Sequence, residues 1–283
     1  MNGEELVGYA ASALVVASLA MTSVVRLRAI SLIGSVTFVV YGVLIGSVPI
    51  VVTNAAIVPV GDGRPVLVLP GSTASDQSTA ALRYVLARLD YSVHGWHLGQ
   101  NLGPTQRIVD GLFGRFDDLY QRHGNQPITL VGWSLGGLYA RALAARKPEA
   151  VRHVISLGSP FRLDRAEETN AGRVFDLLAP VHGLRRPHSV EFRREPYLGP
   201  PAVPSTAIFT RGDGVVPWNS CIDDAGPRAE NIQVYGSHCG LGYNPAALNI
   251  IADRLRLGRD EWRPFQPRGL PLGPYRAKVH HPA

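Results

Sequence analysis

The chain has 283 residues, which leaves room for one large domain or for one domain with an appendage. Its net charge is +6, and its charged fraction of 18% is below the quarter that is usual for globular domains. The basic residues are scattered and form no long block, so the composition argues against a nucleic-acid partner. Two cysteines, Cys221 and Cys239, show no metal-ligand spacing, and neither a metal ion nor a cofactor is expected.

The first 60 residues are strongly apolar and predict helices embedded in a membrane. Leu6 to Val25 is a run of 20 residues without a charge, and a helix of that length, at about 1.5 Å per residue, covers the ~30 Å hydrocarbon core. A cleaved signal peptide is the alternative. Such a peptide begins with a positive segment, whereas this chain begins with the acidic MNGEE and its apolar run is longer than usual. The pattern therefore favours uncleaved helices.

Two further apolar segments follow Arg26 and Arg28. We expect a second helix over about 29–47 and a third from Pro49 to about residue 60, which is too short to span a bilayer alone. The two arginines favour a cytoplasmic first loop. Two spans would then place the rest of the chain outside the cytoplasm, and three would place it inside. The short third segment favours two.

The stretch over about residues 4–58 is also similar to a known protein family. Its sequence, EELVGYAASALVVASLAMTSVVRLRAISLIGSVTFVVYGVLIGSVPIVVTN, resembles small bacterial inner-membrane proteins with three hydrophobic helices. The resemblance implies a location in the bacterial inner membrane, and it implies no particular chemistry.

From Gly61 onwards, apolar runs that end in turns alternate with segments of helical periodicity. This alternation predicts an α/β fold with a mostly parallel sheet and helices on both faces. The expected strands lie in RPVLVLPGS, YSVHGW, PITLVGW, VRHVISLGSP, PSTAIFTRGDG and ENIQVYGSHC. The expected helices lie in residues 77–89, QRIVDGLFGRFDDLYQRHG, LGGLYARALAARKP and NPAALNIIADRLRLG.

Two segments of this part of the chain fall outside the alternation. Residues 161–203 are too many for a plain loop and predict a cap inserted over the site, or else a helical insertion packed on the sheet. Residues 264–283 are rich in Pro and Gly, and we expect a surface tail there. The expected domains are therefore the membrane segment 1–60 and the α/β domain 61–263. An apolar patch of the cap that faces substrate is expected from Val174, Phe175, Leu177 and Leu178.

The motif GWSLG places Ser134 between an expected strand and an expected helix. A serine hydroxyl is a weak nucleophile until a base removes its proton, and it must stand clear of the sheet to reach a carbonyl carbon. A tight strand-to-helix turn provides that exposure, because Gly132 and Gly136 carry no side chains that would collide. The amide of Leu135 would then point at a developing oxyanion. The motif predicts a nucleophile; the alternative is a glycine-rich turn whose serine caps a helix.

Two later strand ends offer a base and an acid for Ser134. Asp213 lies in the turn of FTRGDGVVP, 79 residues after the serine, and His238 lies in the turn of YGSHCGLG, 25 residues further on. The carboxyl ends of parallel strands share one edge of a sheet, where open α/β sheets bind ligands. Either residue could instead be an ordinary turn residue. The weaker candidates for the acid, which lie in the expected cap or past the strand end, are Asp176, Asp223 and Asp224.

Residues 61–263 resemble the α/β-hydrolase superfamily, in particular its bacterial lipase- and esterase-like members. The likeness rests on ITLVGWSLGG, GDGVVP and GSHCGL, which stand in the family's order of serine, acid and histidine. The resemblance implies that Ser134, His238 and Asp213 form a triad that cleaves an acyl bond through an acyl-enzyme.

The same resemblance implies a second oxyanion donor beside the amide of Leu135. The family draws this donor from the loop after an early strand, which is LPGSTASD here. The amide of Ser72 is therefore the expected donor, and Gly71 would give the backbone its freedom. The alternative is an ordinary turn after Pro70.

Two more features near these turns have open interpretations. Cys221 follows Asp213 by eight residues and Cys239 follows His238 directly, so a disulfide that braces the two turns is one hypothesis and two free thiols are the other. The glycine- and asparagine-rich stretch HGWHLGQNLGP, residues 94–104, follows a strand. It either lines the pocket or connects two elements, and the sequence assigns it no chemistry.

Taken together, these patterns predict a membrane-attached serine hydrolase whose substrate is a small carboxylic ester or a lipid-derived one. An acyltransferase that passes the same acyl group to an alcohol is one alternative. A non-catalytic, membrane-bound binding protein on the same fold is another, and the complete set of nucleophile, base and acid argues against it. Epoxide hydrolases and dehalogenases are disfavoured because they use aspartate where this chain has Ser134.

Overall fold

A computed structural model describes residues 61–162, 200–224, 226–266 and 278–280. The chain divides into two units, Met1–Val60 and Gly61–Ala283, and every described residue belongs to the second. The expected membrane helices and almost all of the expected cap lie outside the described residues. Within the part of the chain that is described, no helix is long and apolar enough to cross a membrane.

The described residues of the second unit contain one sheet of seven strands. Their bounds are β1 Pro65–Leu69, β2 Ser92–Gly95, β3 Ile128–Trp133, β4 Val151–Leu157, β5 Ser205–Phe209, β6 Ala229–Gln233 and β7 Lys278–His280. The order across the sheet is β2-β1-β3-β4-β5-β6-β7. All pairs are parallel except the last, in which β7 runs antiparallel to β6. The mostly parallel sheet is confirmed, whereas the sequence pattern did not predict an edge strand in the tail.

Four α-helices alternate with these strands in the described residues, as predicted. Their bounds are α1 Ala80–Arg88, α2 Gln106–Arg122, α3 Leu135–Arg146 and α4 Pro245–Arg256. Local capping fixes two of the starts. The Thr105 side chain accepts a hydrogen bond from the amide of Ile108 before α2, and the Asn244 side chain accepts from two amides at the start of α4.

The central strands are buried on both faces. Leu67 and Leu69 of β1 pack in one apolar cluster with Phe116 of α2 and with residues of α3. Because successive side chains of a strand point to opposite faces, Val66 and Val68 face the other way, and they too have no exposed surface. Burial of one such side chain contributes about 1.5–3 kcal/mol. A continuous apolar run is what a strand covered on both sides requires.

The strand order brings four turns to one edge of the sheet. The chain leaves β3 at Ser134, β4 at Gly158, β5 just before Asp213 and β6 just before His238. Because β3, β4, β5 and β6 are consecutive neighbours and all run parallel, their carboxyl ends form a single rim. We call this edge the carboxyl rim.

A buried ion pair ties helix α3 to the chain segment that leads into β6. The Arg141 guanidinium binds both carboxylate oxygens of Asp223, at 2.7 and 2.9 Å, and the exposed fractions of the two side chains are only 2% and 1%. The Asn231 side chain bonds both the amide and the carbonyl of Asp223, and Phe161 lies under the guanidinium with its ring centre 4.0 Å away. The pair therefore joins the middle of α3 to the segment before β6 at a buried point.

Removal of one partner of this pair is expected to cost much more stability than removal of both. Arg141→Met leaves the Asp223 carboxylate buried without its counter-charge, which costs about 3–5 kcal/mol of unfolding free energy, whereas an apolar replacement of both residues is often nearly neutral. Urea denaturation of Arg141→Met and of the double variant Arg141→Met/Asp223→Leu measures the difference. Equal losses in the two variants would contradict this account.

Candidate active site

Ser134 sits at the apex of a strained turn between β3 and α3. Its backbone has φ 54° and ψ −120°, a conformation that L-residues rarely adopt. Two glycines make the turn possible: a Cβ on Gly132 would collide with the backbone at Gly136, and a Cβ on Gly136 would collide with the carbonyl oxygen of Leu69. The Ser134 amide donates to the Leu157 carbonyl at 2.8 Å. The structure thus holds Ser134 half-buried at the carboxyl rim.

Asp213 and His238 meet at the same rim. Nδ1 of His238 lies 2.7 Å from Oδ2 of Asp213, and the exposed fractions of the two side chains are 8% and 1%. The other carboxylate oxygen, Oδ1, accepts hydrogen bonds from the amides of Val215 and Val216, at 2.9 and 2.8 Å. Since a carboxylate can only accept, the shared hydrogen belongs to Nδ1, and the lone pair of the neutral ring is on Nε2. This is the tautomer that a general base requires.

The loops that carry this pair are bound to each other. The Thr210 hydroxyl donates to the Gly236 carbonyl at 2.9 Å, so the end of β5 is attached to the end of β6. The Asn244 side chain donates to the Tyr235 carbonyl at 2.6 Å and also caps α4. Asp213 and His238 therefore stand on loops whose spacing is set by side-chain bonds as well as by the sheet.

Gly158 and Trp133 connect Ser134 to the acid–base pair. Gly158 follows Leu157, which binds the Ser134 amide, and a Cβ placed on it would lie 3.1 Å from Nδ1 of His238 and 3.3 Å from Oδ2 of Asp213. The Trp133 indole donates to the His238 carbonyl at 3.2 Å. In the described part of the chain, no hydrogen bond joins the Ser134 hydroxyl to His238. Ser134 and the Asp213–His238 pair thus lie at exits of neighbouring parallel strands.

The loop after β1 lies against Ser134 on its other side. A Cβ on Gly71 would lie 3.2 Å from Cβ of Ser134 and 3.9 Å from its hydroxyl oxygen. The amide of Ser72 makes no hydrogen bond within the described residues, and Leu135 is the first residue of α3, where amides lack intrahelical partners. The two expected oxyanion donors thus belong to segments that flank Ser134. The positions agree with the prediction but do not test the role.

The weaker acid candidates lie elsewhere. Asp223 is engaged with Arg141, as described above. Asp224 makes an exposed ion pair with Arg162 at 2.6 Å, and Asp176 lies outside the described residues. Neither of the two described aspartates is placed against His238.

The disulfide hypothesis is wrong for this structure, because both cysteines are free thiols. Cys221 is buried in a small apolar cluster with Phe209, and burial, with the nearby charge of Asp213, raises its pKa to about 12. Cys239, which directly follows His238, is exposed. Neighbouring turns do not suffice for a disulfide, since the two side chains point into different surroundings.

A serine–histidine hydrogen bond exists at the amino end of β2, away from the carboxyl rim. The Ser92 hydroxyl lies 3.2 Å from Nε2 of His94, which lies 2.9 Å from Nε2 of His123. Burial, followed by the charge of His123, lowers the pKa of His94 to about 4. Ser92 begins β2 and has neither a strained turn nor a carboxylate to orient the histidine. Within the described residues, no group of three His, Cys, Asp or Glu side chains is arranged to hold a metal ion.

The sequence interpretation missed the roles of Gly158 and Trp133. Gly158 has φ +53°, and its lack of a side chain leaves space for the acid–base pair. Its place directly after an apolar strand, in ISLGSP, was a usable signal, because glycine at a strand end often marks a close backbone approach. No sequence pattern indicates that the Trp133 indole would reach the His238 carbonyl 105 positions away.

The fold is shared with proteins of known activity. The alpha/beta hydrolase fold family matches residues 69–187. Over 118 residues, the chain is 31% identical to a pimeloyl-(acyl-carrier protein) methyl ester esterase of Neisseria meningitidis; the match covers 34% of this chain and 46% of that protein. The chain thus spans about half the length of this curated relative.

A solved structure supports the same fold assignment. It comes from a study of LipS and LipT, two metagenome-derived lipolytic enzymes, and its sequence is 20% identical to this chain. The two structures superpose with a TM-score of 0.52, over 70% of this chain and 95% of the other chain. With the family match and the sheet order, this likeness establishes that the chain has the α/β-hydrolase fold.

Gly158→Ala is expected to displace the acid–base pair. The added methyl group would lie 2.9 Å from Cδ1 of Leu241 and 3.1 Å from Nδ1 of His238, so one of them must move. We expect the downfield imidazole proton signal of the pair to be lost and ester turnover to fall about tenfold or more. The matched control is Gly124→Ala, at φ +62° with no atom within 4 Å, which shares the backbone strain alone. Identical behaviour of the two variants would contradict this prediction.

Proposed function

We propose that this chain, which has the α/β-hydrolase fold, is a serine hydrolase that cleaves carboxylic esters and is attached to a membrane through residues 1–60. One observation carries the catalytic part. The buried Asp213 carboxylate lies 2.7 Å from Nδ1 of His238 at the same sheet edge as Ser134, which the strained turn presents as a nucleophile.

The acylation step follows from this arrangement. Nε2 of His238 takes the proton of the Ser134 hydroxyl as Oγ attacks the ester carbonyl carbon. The carbonyl oxygen becomes an oxyanion, and the amides of Leu135 and Ser72 donate hydrogen bonds to it. When the intermediate collapses, the carbon–oxygen bond to the alcohol breaks, the alcohol leaves with the proton from Nε2, and the acyl group stays on Oγ.

Deacylation repeats the same proton transfers with water. Nε2 of His238 takes a proton from a water molecule, whose oxygen attacks the acyl carbon, and the proton then returns to Oγ of Ser134 as the carboxylic acid leaves. Asp213 keeps the imidazole in the required orientation and stabilises the imidazolium that forms in each step. Its Oδ1 is held by the amides of Val215 and Val216, so Oδ2 stays directed at the ring.

Ester substrates are supported by the relatives as well as by the geometry. The curated relative is a methyl ester esterase and the solved structure comes from work on lipolytic enzymes, both of which act on carboxylic esters. The charge-free run Leu6–Val25 would hold the enzyme at a bilayer, where lipid-derived esters are concentrated. We therefore propose lipid-derived esters as the substrate class.

A fluorophosphonate probe tests the nucleophile. The wild type is expected to be labelled covalently and Ser134→Ala to remain unlabelled, because the probe reacts with an activated serine hydroxyl. The matched control is Ser92→Ala, which removes the serine that is hydrogen-bonded to His94 and should be labelled like the wild type. Across p-nitrophenyl esters of graded acyl length, Ser134→Ala and His238→Ala should each lose about 10⁴- to 10⁶-fold in kcat.

Three results would count against the proposal. Labelling of Ser134→Ala would mean that another residue is the nucleophile, and full turnover by His238→Ala would mean that the base is misassigned. A wild type that neither reacts with the probe nor cleaves any ester would indicate a binding protein on a hydrolase fold.

Membrane attachment needs a separate measurement. The full chain should stay in the membrane pellet after extraction with alkaline carbonate, and detergent should release it, because an apolar helix embedded in lipid resists high pH. A soluble cytoplasmic protein and a known integral protein serve as controls in the same preparation. Release of the chain by carbonate would remove the embedded helices from the proposal while leaving the hydrolase intact.

A further inference from the structure

We propose that Asn101 is a positioning residue that clamps the loop after β1 so that the Ser72 amide faces the oxyanion. We call residues 70–74 the oxyanion loop. The inference rests on the proposed function, and it assigns a role to the stretch HGWHLGQNLGP, which the sequence left without one.

Asn101 holds the oxyanion loop at both ends. Its side-chain Nδ2 donates to the Pro70 carbonyl at 2.9 Å, immediately before Gly71 and Ser72. Its backbone carbonyl accepts from the Thr73 amide at 2.7 Å, and its backbone amide donates to the Ala74 carbonyl at 2.8 Å. A single residue thus binds the loop on either side of the two positions that lie beside the nucleophile.

The orientation of the Asn101 amide group is fixed by its partners. The Pro70 carbonyl can only accept and therefore requires the NH₂ group, while the Gly103 amide, 3.3 Å from Oδ1, can only donate. Oδ1 also accepts from the Tyr139 hydroxyl at 3.0 Å. Burial raises the pKa of Tyr139 well above its usual value, so the hydroxyl stays protonated and remains a donor.

Tyr139 connects this clamp to the nucleophile. It belongs to α3, the helix that begins directly after Ser134, and it has no exposed surface. Asn101 is likewise fully buried. Asn101 and Tyr139 therefore link the oxyanion loop to the helix that follows Ser134. Because both residues are buried from water, the link fixes the positions of the donors relative to Ser134.

Within the oxyanion loop, the Ala74 amide donates to the Gly71 carbonyl at 3.3 Å and the Thr73 hydroxyl donates to the Ser72 carbonyl at 2.7 Å, but neither bond attaches the loop to the rest of the fold. The exposed Gln100 side chain adds one bond, to the Thr73 carbonyl at 3.0 Å. Gly71 carries no side chain, Pro70 has no amide hydrogen, and Thr73 stands at φ +59°, a strained conformation for a residue with a branched side chain. Such a loop would sample other conformations if released. An oxyanion donor contributes only when it is held in position before charge develops on the substrate.

Four proteins test the clamp: the wild type, Asn101→Ala, Tyr139→Phe, and the control Asn231→Ala. Asn231 is also a buried asparagine with two bonds to a loop, but that loop is at Asp223. Fluorophosphonate titration counts the active sites, and kcat is calculated per titrated site, so that misfolded protein does not lower its value. Binding of a trifluoromethyl ketone, which forms a tetrahedral oxyanion on Ser134, and amide hydrogen exchange of the peptide over 70–76 are measured in parallel.

Asn101→Ala should lower kcat per titrated site by about 10- to 100-fold, while KM should change less than about threefold. The reason is that a misplaced donor no longer stabilises the transition state but has little effect on substrate binding. Ketone affinity should fall in parallel, and residues 70–76 should exchange faster. Tyr139→Phe, which removes only the hydroxyl bond, should shift all three in the same direction by less. Asn231→Ala should keep the wild-type kcat per site and the wild-type exchange of 70–76.

Two outcomes would overturn the clamp. One is a kcat per titrated site in Asn101→Ala equal to that in Asn231→Ala, and the other is unchanged exchange of residues 70–76 in Asn101→Ala. The failure of the proposed function looks different, since the wild type itself would then be inert towards the probe and the esters. In that case exchange alone decides: unchanged protection in Asn101→Ala still removes the clamp.

Discussion

The close approach of three backbone segments around Ser134 is the constraint on which the site depends. The turn between β3 and α3 has room only because Gly132 and Gly136 lack side chains, and Gly136 lies directly against the Leu69 carbonyl at the end of β1. Any larger residue at Gly136 would push the Ser134 turn away from β1. The oxyanion loop begins at Pro70, directly after the last residue of β1. The Ser134 turn and the loop over residues 70–74 are therefore positioned by one contact, which the register of β1 and β3 holds in place.

Among the residues that the structure describes, the buried charged side chains have partners that compensate the loss of hydration. At the carboxyl rim, two amides and an imidazole surround the Asp213 carboxylate. Near the amino ends of the strands, Arg254 neutralises Glu230 at 2.8 Å, and burial lowers the pKa of His153 to about 3, so that histidine stays neutral. A hydroxyl, a histidine and a buried carboxylate also meet at Thr206, His153 and Glu230, but there the Thr206 hydroxyl lies within β5 and donates to Glu230, whereas Ser134 lies in a turn at the rim.

The Ser92–His94 contact shows why proximity alone is a poor guide to chemistry. Its oxygen–nitrogen distance of 3.2 Å is that of a hydrogen bond, whereas no such bond joins Ser134 to His238 in the described chain. Among the described residues, Ser134 has features that Ser92 lacks: it stands in a strained turn at the start of a helix, at the same sheet edge as a histidine that is bonded to a carboxylate. A hydroxyl–imidazole contact alone therefore does not identify a nucleophile, because acyl transfer needs a group for each charge that develops during the reaction.

The sequence by itself determined the alternation of strands and helices, the nucleophile turn, and the strand ends that carry Asp213 and His238, because each of these is encoded locally. Periodicity follows from the repeat of the element, and the glycines beside Ser134 follow from a steric need within five residues. It also indicated where a second oxyanion donor would lie, through a family likeness. The antiparallel strand Lys278–His280 escaped detection, since a three-residue edge strand has too few positions to show a pattern.

Only the tertiary structure decided which side chains meet across long separations. Nothing near Asn101 in the sequence shows that its amide binds Pro70 and Tyr139, and nothing near Gly158 shows that its missing side chain makes space for the acid–base pair. The free state of the cysteines escaped prediction for the same reason. The sequence indicated that the two turns are neighbours, but not that Cys221 is buried while Cys239 is exposed. Such contacts depend on how strands are ordered and helices packed, and that order is a property of the whole sheet rather than of any local stretch.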